Sequence, residues 1–313
     1  MNKIINVLHK NKIPNVKGIV KRNYTLSNNT WFRVGGKAEI FFIPKDIEDL
    51  VTLLKNLNKN IPIKVLGAGS NTLVRDGGVS GVTIKLDKSF SKLTYLDNQK
   101  IYVEAGLNCT KLARETAKNN LGGLEFLSGI PGTVGGAIKM NAGAYGSETS
   151  NFLEEITVVN REGKVKSYFK KDLKMSYRKS SLKKNEIVVS AIFKCKKENK
   201  ISITKKIKGF NEKRIKTQPV KFKTSGSTFK NPLKCKAWKL IKDSGCENLS
   251  KGGAIVSSLH SNFIINQGIA KAIDVEDLGK EIIEKVFTKF GIKLDWEVKI
   301  IGSKNKFRKY FND

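Results

Sequence analysis

Residues 121–147 read LGGLEFLSGIPGTVGGAIKMNAGAYGS, and Gly122, Gly123, Gly129, Gly132, Gly135, Gly136, Gly143 and Gly146 all fall within them. Glycine loses more conformational freedom on folding than any other residue. A chain concentrates it where backbone must take positive φ or lie close against another surface. Leu124, Phe126, Leu127, Ile130, Val134, Ile138 and Met140 are interleaved. They separate the stretch from a flexible linker and anchor it in a core. Such a run serves either as an ordered cradle for a cofactor or as a compact set of tight turns.

Another glycine loop, the first in chain order, lies upstream, VLGAGSNTLVRDGG from Val65 to Gly78. Val65 and Leu66 close a strand-like run. Gly67, Ala68, Gly69, Ser70 and Asn71 then form a tight turn rich in donors, whose backbone N–H groups suit phosphate oxygens. Thr72 stands where a dinucleotide fingerprint needs a third glycine, and no Gly-Lys-Ser/Thr closes the loop. The loop is therefore neither a Rossmann turn nor a P-loop.

Composition narrows the chemistry. The 313 residues allow two or three domains. No apolar stretch reaches the length of a membrane span, and MNKIINVLHKNKIPNVKG has no uninterrupted apolar core, so no secretory leader is expected. Cys109, Cys195, Cys235 and Cys246 are scattered without a paired motif, which predicts a cytoplasmic protein. His9 and His260 are the two histidines. That inventory disfavours a multi-histidine metal site and a Ser-His-Asp triad, and points to redox chemistry carried by an organic cofactor. Lysine and arginine total 59 against 28 acids, a formal charge of +31. The excess is spread along the chain, and Lys194–Lys216 reads as a solvated helix face rather than a nucleic-acid arm. A positive field still favours the approach of phosphorylated substrates.

The pattern along the chain is that of a mixed α+β protein. A helix and a polar lead-in are expected in residues 1–30. Then come a strand at 38–44, the helix DIEDLVTLLKNL, and strands at IPIKVLG and GVTIKL, an α/β opening. KIYVEAG is a strand and CTKLARETAKNNL a helix. EITVVN, KVKSYF and EIVVSAIFKCK alternate as strands of a mostly antiparallel sheet. Near residue 200 the pattern changes to a lysine-rich helix ending at Gln218-Pro219, and a distinct C-terminal segment follows. The expected division is 1–86, 87–198 and 199–313.

Three further positions carry catalytic chemistry or an ordinary surface role. Arg178, in KMSYRKSSL, is either a surface arginine or a planar cation for a carboxylate. Ser227, in TSGSTFKNP, is either an ordinary Ser-Gly turn or a hydroxyl presented for proton transfer. In LDWEVKIIG, alternation sets Leu294, Trp296, Val298 and Ile300 on one face and Asp295, Glu297 and Lys299 on the other. Glu297 faces either solvent or a cleft.

GAGSN (67–71), GIPGTVGGAIKMNAGAYG (129–146), SYR (176–178), GSTFKNP (226–232), GGAIVSSLHSNFIIN (252–266) and EVKIIG (297–302), in this order, resemble the UDP-N-acetylenolpyruvoylglucosamine reductase family of peptidoglycan precursor synthesis. The short spacing between Ser227 and Glu297 is similar to the class without an extra substrate-covering insertion. The resemblance implies an FAD-binding, PCMH-type (vanillyl-alcohol-oxidase-like) unit of two subdomains, and a C-terminal α/β substrate domain. It implies a monomer that takes NADPH and a UDP-sugar, with neither nucleic acid nor membrane as partner. By the same resemblance Ser227 donates the proton, Arg178 stabilises the spreading charge, and Glu297 is a protonated acid beside the substrate carboxylate. Gly67–Asn71 would cradle the FAD pyrophosphate. Gly132, Thr133, Gly135, Gly136 and Ala137 would lie along the flavin, and Tyr177, Asn231 and His260 near the substrate. No histidine or cysteine falls in either glycine loop, so noncovalent flavin is expected. Lys139 stands where the family usually has an aromatic or apolar residue, and Thr217 where lysine is common. Another flavin oxidoreductase of the same fold is disfavoured by Arg178, Ser227 and Glu297 occurring together. A basic nucleic-acid binder on the same scaffold would be colourless rather than yellow.

Overall fold

The computed structural model describes residues 12–305 and 309–311. The first sheet has the order Ile19–Thr25, Lys37–Ile43, Val79–Lys85, Ile63–Leu66. Its last three strands run parallel, joined by helix α1, Ile47–Asn56. The Asp46 carboxylate caps α1 by accepting the Asp49 N–H at 2.8 Å. Leu50, Leu53 and Leu54 are buried on its inner face, each contributing about 1.5–3 kcal/mol on removal from water.

The helix expected in residues 1–30 falls partly outside the described residues. From Ile19 to Thr25 the chain is instead a strand antiparallel to Lys37–Ile43. It is a sheet edge on which only Val20 and Tyr24 are half-buried. Lys21, Arg22 and Asn23 face outward, so its apolar alternation is too thin to register as a strand.

The second sheet is antiparallel throughout, in the order Val165–Phe169, Leu153–Val159, Ile187–Lys194, Lys100–Glu104, Leu93–Tyr95. Helices α2, Cys109–Lys118, and α3, Val134–Met140, lie beside it. One apolar core joins both sheets, with Phe42 and Leu54 from the first part and Leu112, Ile138 and Phe193 from the second. Helix α4, Lys200–Thr217, starts where Asn199 Oδ1 accepts the Ile201 N–H at 2.8 Å. It stops before Gln218-Pro219, since the residue preceding proline is driven out of helical geometry. Ile203 and Ile207 of α4 enter that same core while its lysines stay in solvent.

Beyond α4, strands Ser250–Lys251, Ala254–Val256 and Ile264–Asn266 form a small antiparallel sheet. It packs with α5, Ala237–Asp243, and α6, Ala272–Phe290. Gly291, at φ +66°, ends α6 in the left-handed region. This second core takes Phe229, Ile241, Val256 and Leu278, and also Phe32, Val34 and Leu73 from the N-terminal part. The terminal strand Lys299–Ile301 leaves its neighbours in sequence and pairs parallel with Thr72–Val74, just past the first glycine loop. Asp76 then receives the first N–H groups of α6, from Ala272 at 2.9 Å and Ile273 at 3.0 Å. The C-terminal part is thus bolted to the loop that precedes it by about two hundred residues.

Candidate active site

The first glycine loop leaves the strand Ile63–Leu66 and turns sharply at Gly69, φ +67°. A Cβ there would collide with the Asn29 carbonyl, so only glycine fits. The backbone N–H groups of Ala68, Gly69, Ser70 and Asn71 meet no protein acceptor among the described residues. Such a row of donors matches the oxygens of a pyrophosphate.

The second glycine run faces this loop. A Cβ on Gly67 would come 2.7 Å from Thr133 Oγ1, and one on Gly132 would stand 3.6 Å from Ser70 Oγ. Thr133 Oγ1 accepts the Gly136 N–H at 3.4 Å and so shapes the first turn of α3. Gly135 lets α3 lie against the chain, since its Cβ would press within 2.9 Å of Ala105 Cβ. Gly136 is exposed beside Thr133. The first loop supplies the free backbone donors. The second, whose N–H groups at Gly132, Val134, Gly135, Gly136 and Ala137 are bonded within the chain, supplies a facing wall with little side-chain bulk, and together they fit FAD.

The carboxyl end of α3 leads to Gly143, whose carbonyl accepts Arg178 Nη2 at 2.9 Å. Arg178 sits in the two-residue turn of a hairpin formed by Met175–Ser176 and Lys179–Ser180, at φ +56°. Its Nε donates to Glu297 Oε1 at 2.6 Å, and its guanidinium lies 4.8 Å from the Tyr177 ring centre. The two side chains of the pair are 20% and 15% exposed, so the pair is drier than a surface ion pair and less screened by salt.

Glu297 is held on both sides. Its N–H donates to the Thr228 carbonyl at 2.9 Å, and its own carbonyl accepts Asn71 Nδ2 at 3.2 Å. The first directly ties the terminal segment to the residue after Ser227. The second ties it to the first glycine loop. Ser227 bridges Phe263, and Phe229 bridges Trp296. The hydroxyls of Thr224, Ser225 and Thr228, around Ser227, are buried with no hydrogen-bond partner among the described residues. Buried polar groups ordinarily find a partner, so three unpaired hydroxyls beside Ser227 set this segment apart. The Asn231 N–H reaches Tyr177 Oη at 3.5 Å.

His260 lies on the turn that delivers Phe263. Its Nδ1 accepts the Asn262 N–H at 3.3 Å, which leaves the proton of the neutral ring on Nε2. Burial pushes its pKa down. Basic residues border the pair. Burial, then the Lys230 cation, hold Lys299 below the ordinary lysine range, with Glu297 opposing. Burial likewise lowers Lys139, with Glu186 opposing. An anion entering here relieves like-charge repulsion.

Arg178, Glu297, Tyr177, Asn231, Asn71 and the Gly143 carbonyl are thus brought into one connected set. Sequence reasoning missed Asn262, whose side chain accepts the Phe229 N–H at 3.0 Å and donates to the Phe229 carbonyl at 2.8 Å. It clamps the segment bearing Ser227. A buried asparagine in a turn looks like any loop polar residue, and only its partner 33 residues away sets it apart.

A family model described as an FAD binding domain matches residues 38–168. Another, described as the C-terminal domain of UDP-N-acetylenolpyruvoylglucosamine reductase, matches residues 218–301. The UDP-N-acetylenolpyruvoylglucosamine reductase of Rickettsia typhi is 46% identical over 290 residues, 93% of this chain and 98% of that one. That of Phenylobacterium zucineum is 45% identical over 295 residues, 94% and 98% of the two chains. The crystal structure of UDP-N-acetylenolpyruvylglucosamine reductase from Thermus caldophilus superimposes with a TM-score of 0.78 at 35% identity, covering 91% of this chain and 99% of that one.

Proposed function

The chain belongs to the UDP-N-acetylenolpyruvoylglucosamine reductase family, and on that premise we propose how its residues divide the work. It is an FAD-dependent oxidoreductase that reduces UDP-N-acetylglucosamine enolpyruvate to UDP-N-acetylmuramate in peptidoglycan precursor synthesis. Its N-terminal unit is an FAD-binding domain of the vanillyl-alcohol-oxidase type. The co-substrate in this proposal is NADPH.

Ala68–Asn71 would hold the pyrophosphate, and Gly132, Thr133, Gly135, Gly136 and Ala137 the flavin end. FAD held there, once reduced by NADPH, would supply the hydride for the methylene carbon of the enolpyruvyl ether. Negative charge gathers on the neighbouring carbon and spreads into its carboxylate. Arg178 meets that charge with a guanidinium already oriented by Glu297 and the Gly143 carbonyl, so little reorganisation accompanies the reaction. Ser227 completes the addition: its O–H bond breaks as a C–H bond forms at the charged carbon. Tyr177, Asn231 and His260 orient the sugar nucleotide. Lys230 and Lys299 favour its anionic groups, and the net charge of +31 draws it in.

The Arg178–Glu297 pair carries this reading. It joins the hairpin, the glycine run and the segment just before the terminal strand at one point across 119 residues. Four unpaired cysteines support placing the enzyme in the cytoplasm, where thiols stay reduced. Stopped-flow mixing of the NADPH-reduced protein with the enolpyruvyl sugar nucleotide tests the assignment. Oxidised-flavin absorbance should return at a rate that rises with sugar nucleotide. Return driven by dioxygen alone, indifferent to the sugar, would refute it.

A further inference from the structure

The hairpin bearing Arg178 has little to hold it by itself. Its ladder is two residue pairs long, Met175 with Ser180 and Ser176 with Lys179. A two-stranded ribbon so short is not stable alone in water. Arg178 adds a left-handed backbone at φ +56°, a conformation that persists only where the surroundings over-determine it.

The surroundings that do so belong to the end of α3. Lys139 Nζ donates to the Leu182 carbonyl at 2.7 Å and to the Lys183 carbonyl at 2.9 Å. The Lys139 carbonyl in turn accepts Ser180 Oγ at 2.8 Å. One residue therefore grips the returning strand with its backbone and with a charged side chain. Hydrogen bonds from an ammonium are stronger than those between neutral groups. Asn141 Nδ2 holds the outgoing strand through the Ser176 carbonyl at 3.1 Å.

The opposite end of α3 is the turn that faces the first glycine loop. A short rigid helix thus has the cofactor cradle at one end and the arginine hairpin at the other. We propose that Lys139 is a positioning residue: it transfers the placement of α3 to the hairpin and so fixes where the Arg178 guanidinium stands relative to the cofactor cradle. The inference rests on the role proposed above for Arg178 and adds the residue through which that role depends on the cofactor helix.

A double-mutant cycle on the FAD-loaded enzyme tests it, with Lys139→Met and Arg178→Ala alone and together. Stopped flow reads flavin reduction by NADPH and reoxidation by the enolpyruvyl sugar nucleotide. Lys139→Met should leave reduction nearly unchanged and slow saturated reoxidation by about ten- to a hundredfold, the range produced by ångström-scale misplacement. Lys139→Arg, which keeps its donors, should recover most of the rate. Once Arg178 is gone, Lys139→Met should add almost nothing. In the flavin-free protein, trypsin should cut residues 174–184 faster in Lys139→Met than in the parent. Unchanged reoxidation, unchanged hairpin cleavage, or fully multiplicative effects in the double variant would overturn the positioning role and leave that of Arg178 standing. An Arg178→Ala enzyme reoxidised at the parent rate would overturn the role of Arg178 itself, and this inference with it. If Lys139→Met fails to hold flavin, Lys139→Gln, which keeps one donor group, is judged by the same outcomes.

Discussion

Arg75→Met probes the bolt between the glycine loop and the C-terminal part. Arg75 donates to Glu276 through Nε at 2.8 Å and Nη2 at 3.0 Å, a two-pronged pair. The Glu276 side chain is 6% exposed and that of Arg75 31%. Without the guanidinium, Glu276 keeps Lys280, 3.8 Å away, and the field of Lys304. Breaking a fully buried pair costs about 3–5 kcal/mol, and breaking an exposed one about 0–1 kcal/mol. This half-wet pair, with Lys280 in reserve, should cost about 2 kcal/mol, or roughly 4 °C in melting temperature for a chain of this size. The pH dependence has a definite sign. The hydrogen bond from Arg75 holds Glu276 below its ordinary value of 4.5. A depressed carboxylate contributes its stability above the unfolded value and loses it as pH falls through the folded one. The deficit of Arg75→Met should therefore be full at pH 7 and shrink below pH 4.5. Calorimetry of both proteins at matched FAD excess reads this directly. A variant melting within about 1 °C of the parent at pH 7, or a deficit that widens on acidification, would refute the reasoning.

Two other substitutions report on the site. Gly69→Ala sets a Cβ into the Asn29 carbonyl at φ +67°; FAD affinity, followed by flavin fluorescence during titration of the apoprotein, should fall by more than about tenfold, or 1.4 kcal/mol. Asn262→Ala strips both partners from the Phe229 backbone. Chemical denaturation should show a loss of about 2–3 kcal/mol, and reoxidation by substrate should suffer more than reduction by NADPH.

The parts legible in the sequence were those with dense local signals. Glycines at 67–71 and 129–146 announced ordered backbone, and DIEDLVTLLKNL read as the helix that is α1. The alternation in Leu153–Val159 and Ile187–Lys194 was strong because each strand lies inside a sheet. Edge strand Ile19–Thr25 lacked that signal, since most of its side chains face water. Non-local pairing was harder still. Nothing near Lys299 announces that it will pair with Thr72. Alternation placed Glu297 on a face, but only the return of that strand to the first glycine loop, and of the hairpin to α3, turned the face toward Arg178. Lys139 stood out as a departure in sequence, while its grip on Leu182 and Lys183 depends on a turn formed more than forty residues later.

The most direct measurement is the stopped-flow comparison of the two half-reactions in Ser227→Ala. The account predicts flavin reduction by NADPH at close to the parent rate. Reoxidation by the enolpyruvyl sugar nucleotide should be slower by about 10²–10⁴-fold, the contribution of a positioned proton donor. Equal loss in both half-reactions, or reoxidation as fast as in the parent, would contradict it.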